Sequence, residues 1–161
     1  MRNSLSTAIV VAGLAAGVPA AGAQEIDRLL VRVNGAVLMQ SDIRQARALK
    51  LVPDTGSDEA TQRALENRLL MLGEVSRGGP VAVDDGELNA RRSRWAASVG
   101  PDADAQLARH GMTRASLDAW LRDDARVEAY VRQTFGDPAD PAKARSVAAW
   151  VDRLRQRAGL R

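Results

Sequence analysis

RLLVRVNGAVLMQSDI, residues 28–43, is the stretch that decides how this fold begins. Asn34-Gly35 is the dipeptide of a two-residue hairpin turn, because both central positions of that turn need positive φ. Apolar runs flank it, Leu29-Leu30-Val31-Arg32-Val33 before and Ala36-Val37-Leu38-Met39 after. Ser41 then offers a hydroxyl to cap a helix, and Asp42 places a negative charge at that helix's positive end. A lone hairpin is marginally stable in water, so something later in the chain must cover it.

Downstream of the hairpin the pattern is helical. The first helix is expected over 42–52, stopping at Pro53, with a polar turn from Pro53 to Ser57. A second helix carries Leu65, Leu69, Leu72 and Val75 at intervals of three and four, an apolar stripe for a core. Basic charge, glycine and proline in Arg77-Gly78-Gly79-Pro80 mark its end. Asp84 followed by Glu87 is an Asp variant of the capping box, opening a helix with Leu88, Trp95 and Val99 on one face. Gly100-Pro101 closes that helix, and a short one over 102–110 brings Leu107 inward. Thr113 caps the next, which presents Leu117, Trp120, Leu121, Val127 and Val131 before Phe135-Gly136. Residues 137–141, Asp-Pro-Ala-Asp-Pro, form a rigid polar connector. A last helix carries Val147, Trp150, Val151, Leu154 and Ala158. The expected fold is mainly α with a short N-terminal β-hairpin.

Upstream of the hairpin, Arg2 precedes an apolar run from Leu5 to Val18, and Ala21-Gly22-Ala23 has the small-residue pattern of a cleavage site. These are the n-region, h-region and cut site of a secretory signal peptide, residues 1–23, removed before Gln24. The apolar run falls short of the ~20 residues a spanning helix needs, so no stable membrane anchor is expected. Cleavage removes Arg2 and no acid, taking the formal net charge from +3 to +2. The isoelectric point is near 10.1, yet the 23 basic residues are balanced by 20 acidic ones. The high value comes from arginine almost replacing lysine, since guanidinium does not titrate. Arginines alternate with acids along the helices, as in Arg122-Asp123-Asp124-Ala125-Arg126, the pattern of a solvated face; no nucleic-acid partner is expected. With no cysteine in an exported chain there is no disulfide framework, and packing alone must hold the fold. Aromatic residues are 3% of the chain, so Leu, Val and Ala must build most of the core.

This order of motifs resembles the SurA-type periplasmic chaperones, whose N-terminal domain also resembles part of trigger factor. That family opens with a strand, a V-N-x-x-V hairpin and an S-D helix start, matched by Val33-Asn34-Gly35-Ala36-Val37 and Ser41-Asp42-Ile43. Its L-x-x-x-L-I-L-x-E-A helix is matched by the run from Leu65 to Val75. Its β-like V-x-V-[ST/D]-D-x-E-L step is matched by Val81 to Leu88, and its G-[LM]-[ST]-x-x-x-[FL] helix start by Gly111 to Leu117. Trp150, Leu154 and Arg155 match the family's terminal W-x-x-x-L-R segment. Larger members carry one or two parvulin-type prolyl isomerase domains before that last helix. Here only Gly136 to Pro141 lies in that place, far short of the ~50 residues of a small domain. The resemblance implies one SurA N-terminal-like domain over 24–136. Residues 137–161 would be a linker and a C-terminal helix folded back on it, covering the hairpin, with Leu160 alongside a strand. It also implies a periplasmic location and unfolded outer-membrane proteins as clients.

Chemistry for an enzyme is sparse. His110 is the only histidine and cysteine is absent, which removes Cys-His dyads and ordinary zinc sites. His110 precedes Gly111 near a helix C-terminus, where a cation suits the dipole. Asp102 and Asp104 partly match a calcium loop, but Leu107 and Thr113 stand where that loop needs glycine and glutamate. Asp84-Asp85 and Asp123-Asp124 are neighbours that do not face each other on a helix; capping explains the first pair and surface charge the second. No catalytic residue, cofactor or metal is expected. Binding chemistry remains, and the candidate client contacts are Met39, Met71, Met112 and Trp95. Thioethers adapt to varied partners and tryptophan is enriched where proteins meet. Trp120 and Trp150 sit within clear stripes and are read as core. Trp95 stands beside Arg91, Arg92 and Arg94, a cluster read as a solvated face, so its side is open. The expected function is an exported, ATP-independent holdase without isomerase activity. The alternative is a dedicated assembly subunit for one folded envelope partner, and homodimer formation is left open.

Overall fold

Asn34 and Gly35 take φ of 50° and 82°, and the two strands they join pair antiparallel. The computed structural model describes residues 27–54, 56–78 and 82–160; the signal-peptide reading of 1–23 lies outside them. Strand β1 is Leu29–Val33 and strand β2 is Ala36–Met39. Val33 faces Ala36 across the turn, Arg32 faces Val37 and Val31 faces Leu38. Leu29 then faces Met39, so the register slips at Leu30. Such a bulge bends and twists the strand that carries it.

Six helices follow among the described residues: α1 Gln40–Ala48, α2 Asp58–Arg77, α3 Asp85–Val99, α4 Ala103–Arg109, α5 Arg114–Phe135 and α6 Pro141–Arg157. The molecule is therefore mainly helical with one short N-terminal hairpin. Side-chain caps account for most of the starts. Ser57, Asp84, Thr113 and Asp140 each accept a backbone N–H from the first turn of α2, α3, α5 and α6. Such a bond satisfies one of the donors that a helix start leaves without an internal partner. Glu87 does not complete the capping box at Asp84, because its carboxylate turns to Arg91 instead.

Local details differ from the sequence reading in three places. Ser41 does not cap α1: its hydroxyl and N–H both bond to Asp27. The cap falls at Met39, whose N–H donates to the Asp42 carboxylate at 2.7 Å. Helix α1 also ends at Ala48 rather than Val52. Lys50 adopts φ 49°, and the N–H of Leu51 returns to the carbonyl of Ala46 at 2.9 Å. That left-handed turn closes the helix early and drives Leu49 into the interior, where it is fully buried. Thirdly, Ala82 and Val83 form no strand, and Leu160 is not in one, though it packs against the cluster that holds Val33 of β1. The N–H of Leu160 instead bonds to the carbonyl of Arg155 at 2.9 Å, finishing α6.

Three apolar clusters hold these elements together. The first joins Val33 of β1, Leu70 and Val75 of α2, Val127 and Val131 of α5, and Trp150 and Leu154 of α6. The second joins Leu49, Leu88, Trp95, Leu107, Met112, Leu117 and Leu121, binding α3 and α4 to α5 and the end of α1. The third holds Leu38, Ile43, Ala46 and Leu65. The two fully buried residues of the hairpin thus enter different clusters, and the half-buried Val31 packs against both. Val33 meets α2, α5 and α6, whereas Leu38 meets α1 and α2. Cover for the hairpin comes from α2 as well as from the C-terminal helix. Fixing two points of the hairpin's inner face in separate clusters specifies its register, since a one-residue slip would turn both outward.

Candidate functional site

With Val33 and Leu38 turned inward, strand alternation turns Arg32, Val37 and Met39 outward. The slip at Leu30 brings Leu29 to the same side, directly opposite Met39. Leu29 is 55% exposed and Val37 39%, and these are the exposed large hydrophobic residues among the described ones. Met39 is half-buried between them. The outer face of the hairpin is therefore a small apolar surface flanked by a cation, Arg32. Its edges are poorly suited to further strand pairing. Strand β2 has four residues, the Asp42 carboxylate occupies the N–H of Met39, and β1 carries both a bulge and an arginine. Short, bulged and charged edges resist added strands. A polypeptide meeting this hairpin would do so through side chains on its face.

The four candidate client contacts divide once folded into three settings. Met39 lies on the outer hairpin face. Met71, on α2, is half-buried against the first cluster. Trp95 and Met112 are buried in the second cluster, at 7% and 9% exposure. The indole N–H of Trp95 donates to the Leu49 carbonyl at 2.8 Å, satisfying the chain where α1 ends. Trp95 and Met112 thus lack the exposed surface a client contact needs; they tie α3 and α4 to the body. Trp150 is buried as expected. Trp120 is half-buried, with the Arg68 guanidinium stacked 3.6 Å from its ring.

Two of the arginines near Trp95, Arg91 and Arg92, are helix-to-helix ties, while Arg94 stays on the exposed face. Arg91 donates to Glu87 on its own helix and to both carboxylate oxygens of Glu128 on α5, at 3.0 and 2.7 Å. The Arg91 bond holds the Glu128 carboxyl below its usual value of 4.5, and Arg91 itself is raised above its own. Arg92 grips Asp118 with two bonds, at 2.9 and 2.8 Å. Asp124 likewise leaves the solvated face expected of it. Arg68 of α2 reaches it at 2.7 Å, while burial pushes its carboxyl above the usual 3.8.

One pair escaped the sequence reading. Arg155 of α6 donates to Glu66 of α2 at 2.9 Å, and the two side chains are 6% and 8% exposed. Arg155 also donates to Asn67 at 3.0 Å, and Gln62 donates to the second Glu66 oxygen at 2.8 Å. A signal for it exists in the pattern of the helices. Glu66 stands four residues before Leu70 and Arg155 four after Val151, so each charge occupies an apolar-stripe position.

A groove of about 650 Å³ between α1 and the end of α4 is lined by Arg44, Arg47, Arg109, His110, Asp42 and Asp58. Its charges are largely engaged: Arg47 pairs with Asp58 at 2.5 Å, and Gln45 donates to the His110 carbonyl at 2.6 Å. His110 is the C-cap residue of α4. Among the described residues no group of three His, Cys, Asp or Glu could hold a metal ion, and no helix is long and apolar enough to cross a membrane. Comparison with protein-family models, curated proteins and solved structures gave no match.

Proposed function

We propose that this chain is an exported, ATP-independent chaperone-like protein that binds unfolded envelope polypeptides, with outer-membrane proteins as the expected clients, and that it has no isomerase activity. The observation that carries the reading is the outer hairpin face, where Leu29, Val37 and Met39 stand exposed or half-exposed beside Arg32. A few aliphatic side chains without a shaped pocket bind apolar segments weakly and with little sequence demand, which is what a reversible holdase needs. The order of short motifs that resembles the SurA-type chaperones agrees with it, and the export signal read from residues 1–23 supplies the compartment. A dedicated subunit for one folded partner fits less well. A stable interface buries about 800 Å² on each side, far more than one four-residue strand and its neighbour present.

The test uses residues 24–161. A urea-unfolded outer-membrane barrel protein is diluted into buffer with and without this protein, and light scattering is followed. Suppression at near-stoichiometric amounts, weakened by Leu29→Ser with Val37→Ser, is the expected result. No suppression beyond that given by an equally basic control protein overturns the proposal.

A further inference from the structure

Helix α6 is held differently from the rest of the molecule. Its seat is the floor made by Val33, Leu70, Val75, Val127 and Val131. Into it go Trp150, set 5.7 Å from Tyr130 and 5.4 Å from Phe135, and Leu154. The first six residues, Pro141 to Ser146, are all exposed. Neither the second nor the third cluster contains any residue of α6. Undocking α6 would therefore open the first cluster and leave the packing of α1, α3 and α4 in place, a sub-global opening. Once empty, the seat has a specific demand: Glu66 lies buried on its wall, and a buried carboxylate left without a cation is strongly unfavourable. The described segment that supplies tryptophan, leucine and arginine at this spacing is α6 itself.

The connector supplies the hinge. Gly136 takes φ 92° and ψ −161°, a region that essentially only glycine occupies. Gly136, followed by the turn that the Asp140 N–H closes on the Asp137 carbonyl at 3.1 Å, brings the chain back so that α6 meets its own seat. If Gly136 relaxes to ordinary extended backbone, Pro138 and Pro141 stiffen the connector and carry α6 away from its own body. We propose that α6 exchanges between two copies of this chain, each α6 seating against the other copy's β1, α2 and α5 through Trp150, Leu154 and the Arg155–Glu66 pair. Every side-chain contact of the closed form is remade in the exchanged dimer, so the two forms differ in the hinge and in the entropy of association. Exchange of an identical element is a low-cost route to a dimer. The inference stands independently of the holdase reading, since it rests on the seat and the hinge.

Two variants test it, each read by size-exclusion chromatography with light scattering and by native mass spectrometry. Gly136→Ala penalises the turned hinge and leaves the seat intact; it is expected to raise the dimer-to-monomer ratio at least about tenfold over wild type. The second arm mixes Glu66→Lys protein with Arg155→Glu protein. Each alone sets like charges together in its seat, but an exchanged heterodimer pairs both seats with opposite charges. A heterodimer that forms on mixing, with neither variant dimerising alone, supports exchange. Gly136→Ala that remains monomeric at all concentrations up to about 1 mM, together with no heterodimer on mixing, overturns it. So does a Gly136→Ala dimer that persists after Trp150→Ala and Leu154→Ala empty the seat.

Discussion

Removing the Arg155 guanidinium is the most informative single perturbation of this fold. Arg155→Met keeps most of the apolar stem and leaves the Glu66 carboxylate with Gln62 and without the opposing charge that faces it at 2.9 Å. Breaking a buried pair from one side costs about 3–5 kcal/mol, because the orphaned charge stays desolvated. The Gln62 bond places the expected loss at the lower end of that range. Replacing both partners, Glu66→Leu with Arg155→Met, removes the desolvation of both ions and should return stability to within about 1 kcal/mol of wild type or above it. The double variant is thus expected to be more stable than Arg155→Met alone by about 2–3 kcal/mol.

Urea unfolding followed by tryptophan fluorescence measures this directly. With a urea slope of about 1–3 kcal/mol/M for a domain of this size, Arg155→Met should lower the midpoint by about 1–3 M. The double variant should regain most of that interval with an unchanged slope. Two results would refute the reasoning. A loss under about 1 kcal/mol for the single variant would mean that the pair behaves as solvated. A double variant as unstable as the two single losses summed would mean that the residues contribute separately, through shape and not through charge.

Three further outcomes follow from the same geometry. Glu128 should titrate below 4.5 and Asp124 above 3.8 when carboxyl carbon shifts are followed by NMR, and Arg91→Ala should move Glu128 back upward. The signs oppose each other in stability. The Glu128 contribution is present above the ordinary glutamate range and is lost as pH falls through its depressed value, whereas protonating Asp124 favours the folded state as pH falls. Gly73→Ala should fail to deliver the ~1 kcal/mol that alanine normally adds inside a helix. A Cβ there would meet the Asn34 amide nitrogen at 2.3 Å and break its bond to the Leu69 carbonyl. In an Asn34→Gly background the same change should recover the gain, read as a rise in Tm. Trp95→Phe, which keeps a six-membered ring but loses the pyrrole half of the indole and its bond to Leu49, should cost about 1–3 kcal/mol, while Trp95→Ala should cost about 3–5 kcal/mol, both by urea unfolding.

Features set by neighbours along the chain were legible. Asn34-Gly35 specifies a two-residue turn from its own φ preferences, and Asp84 and Thr113 cap because their acceptors sit three residues from the N–H they serve. Ser41 misled for an equally local reason. Asp42, one position on, competes for the same helix start and takes the Met39 N–H, which frees Ser41 to bond Asp27. Pro53 misled more gently: a proline bounds where a helix must have stopped, and Lys50 had already stopped it. The arginines could not be sorted by pattern. Arg91, Arg92 and Arg94 look alike along the chain, yet the first two find acids on α5, 37 and 26 residues away.

The candidate site shows why exposure was the harder property to read. Met39, Met112 and Trp95 are comparable in apolar character, and periodicity marks Trp95 for a helix face without saying what that face meets. What separates them is the packing partner. Trp95 and Met112 lie where α3, α4 and α5 close on Leu49, whereas Met39 is on the side of a two-stranded sheet that no described helix covers. That difference arises from the hairpin's own alternation. Val33 and Leu38 are claimed by two separate clusters, and satisfying both leaves Leu29, Val37 and Met39 no choice but the outer side. An exposed apolar face here is thus a geometric consequence of anchoring the inner face twice. Polar substitutions at Leu29 and Val37 should therefore leave folding nearly unchanged while removing whatever binding the face supports.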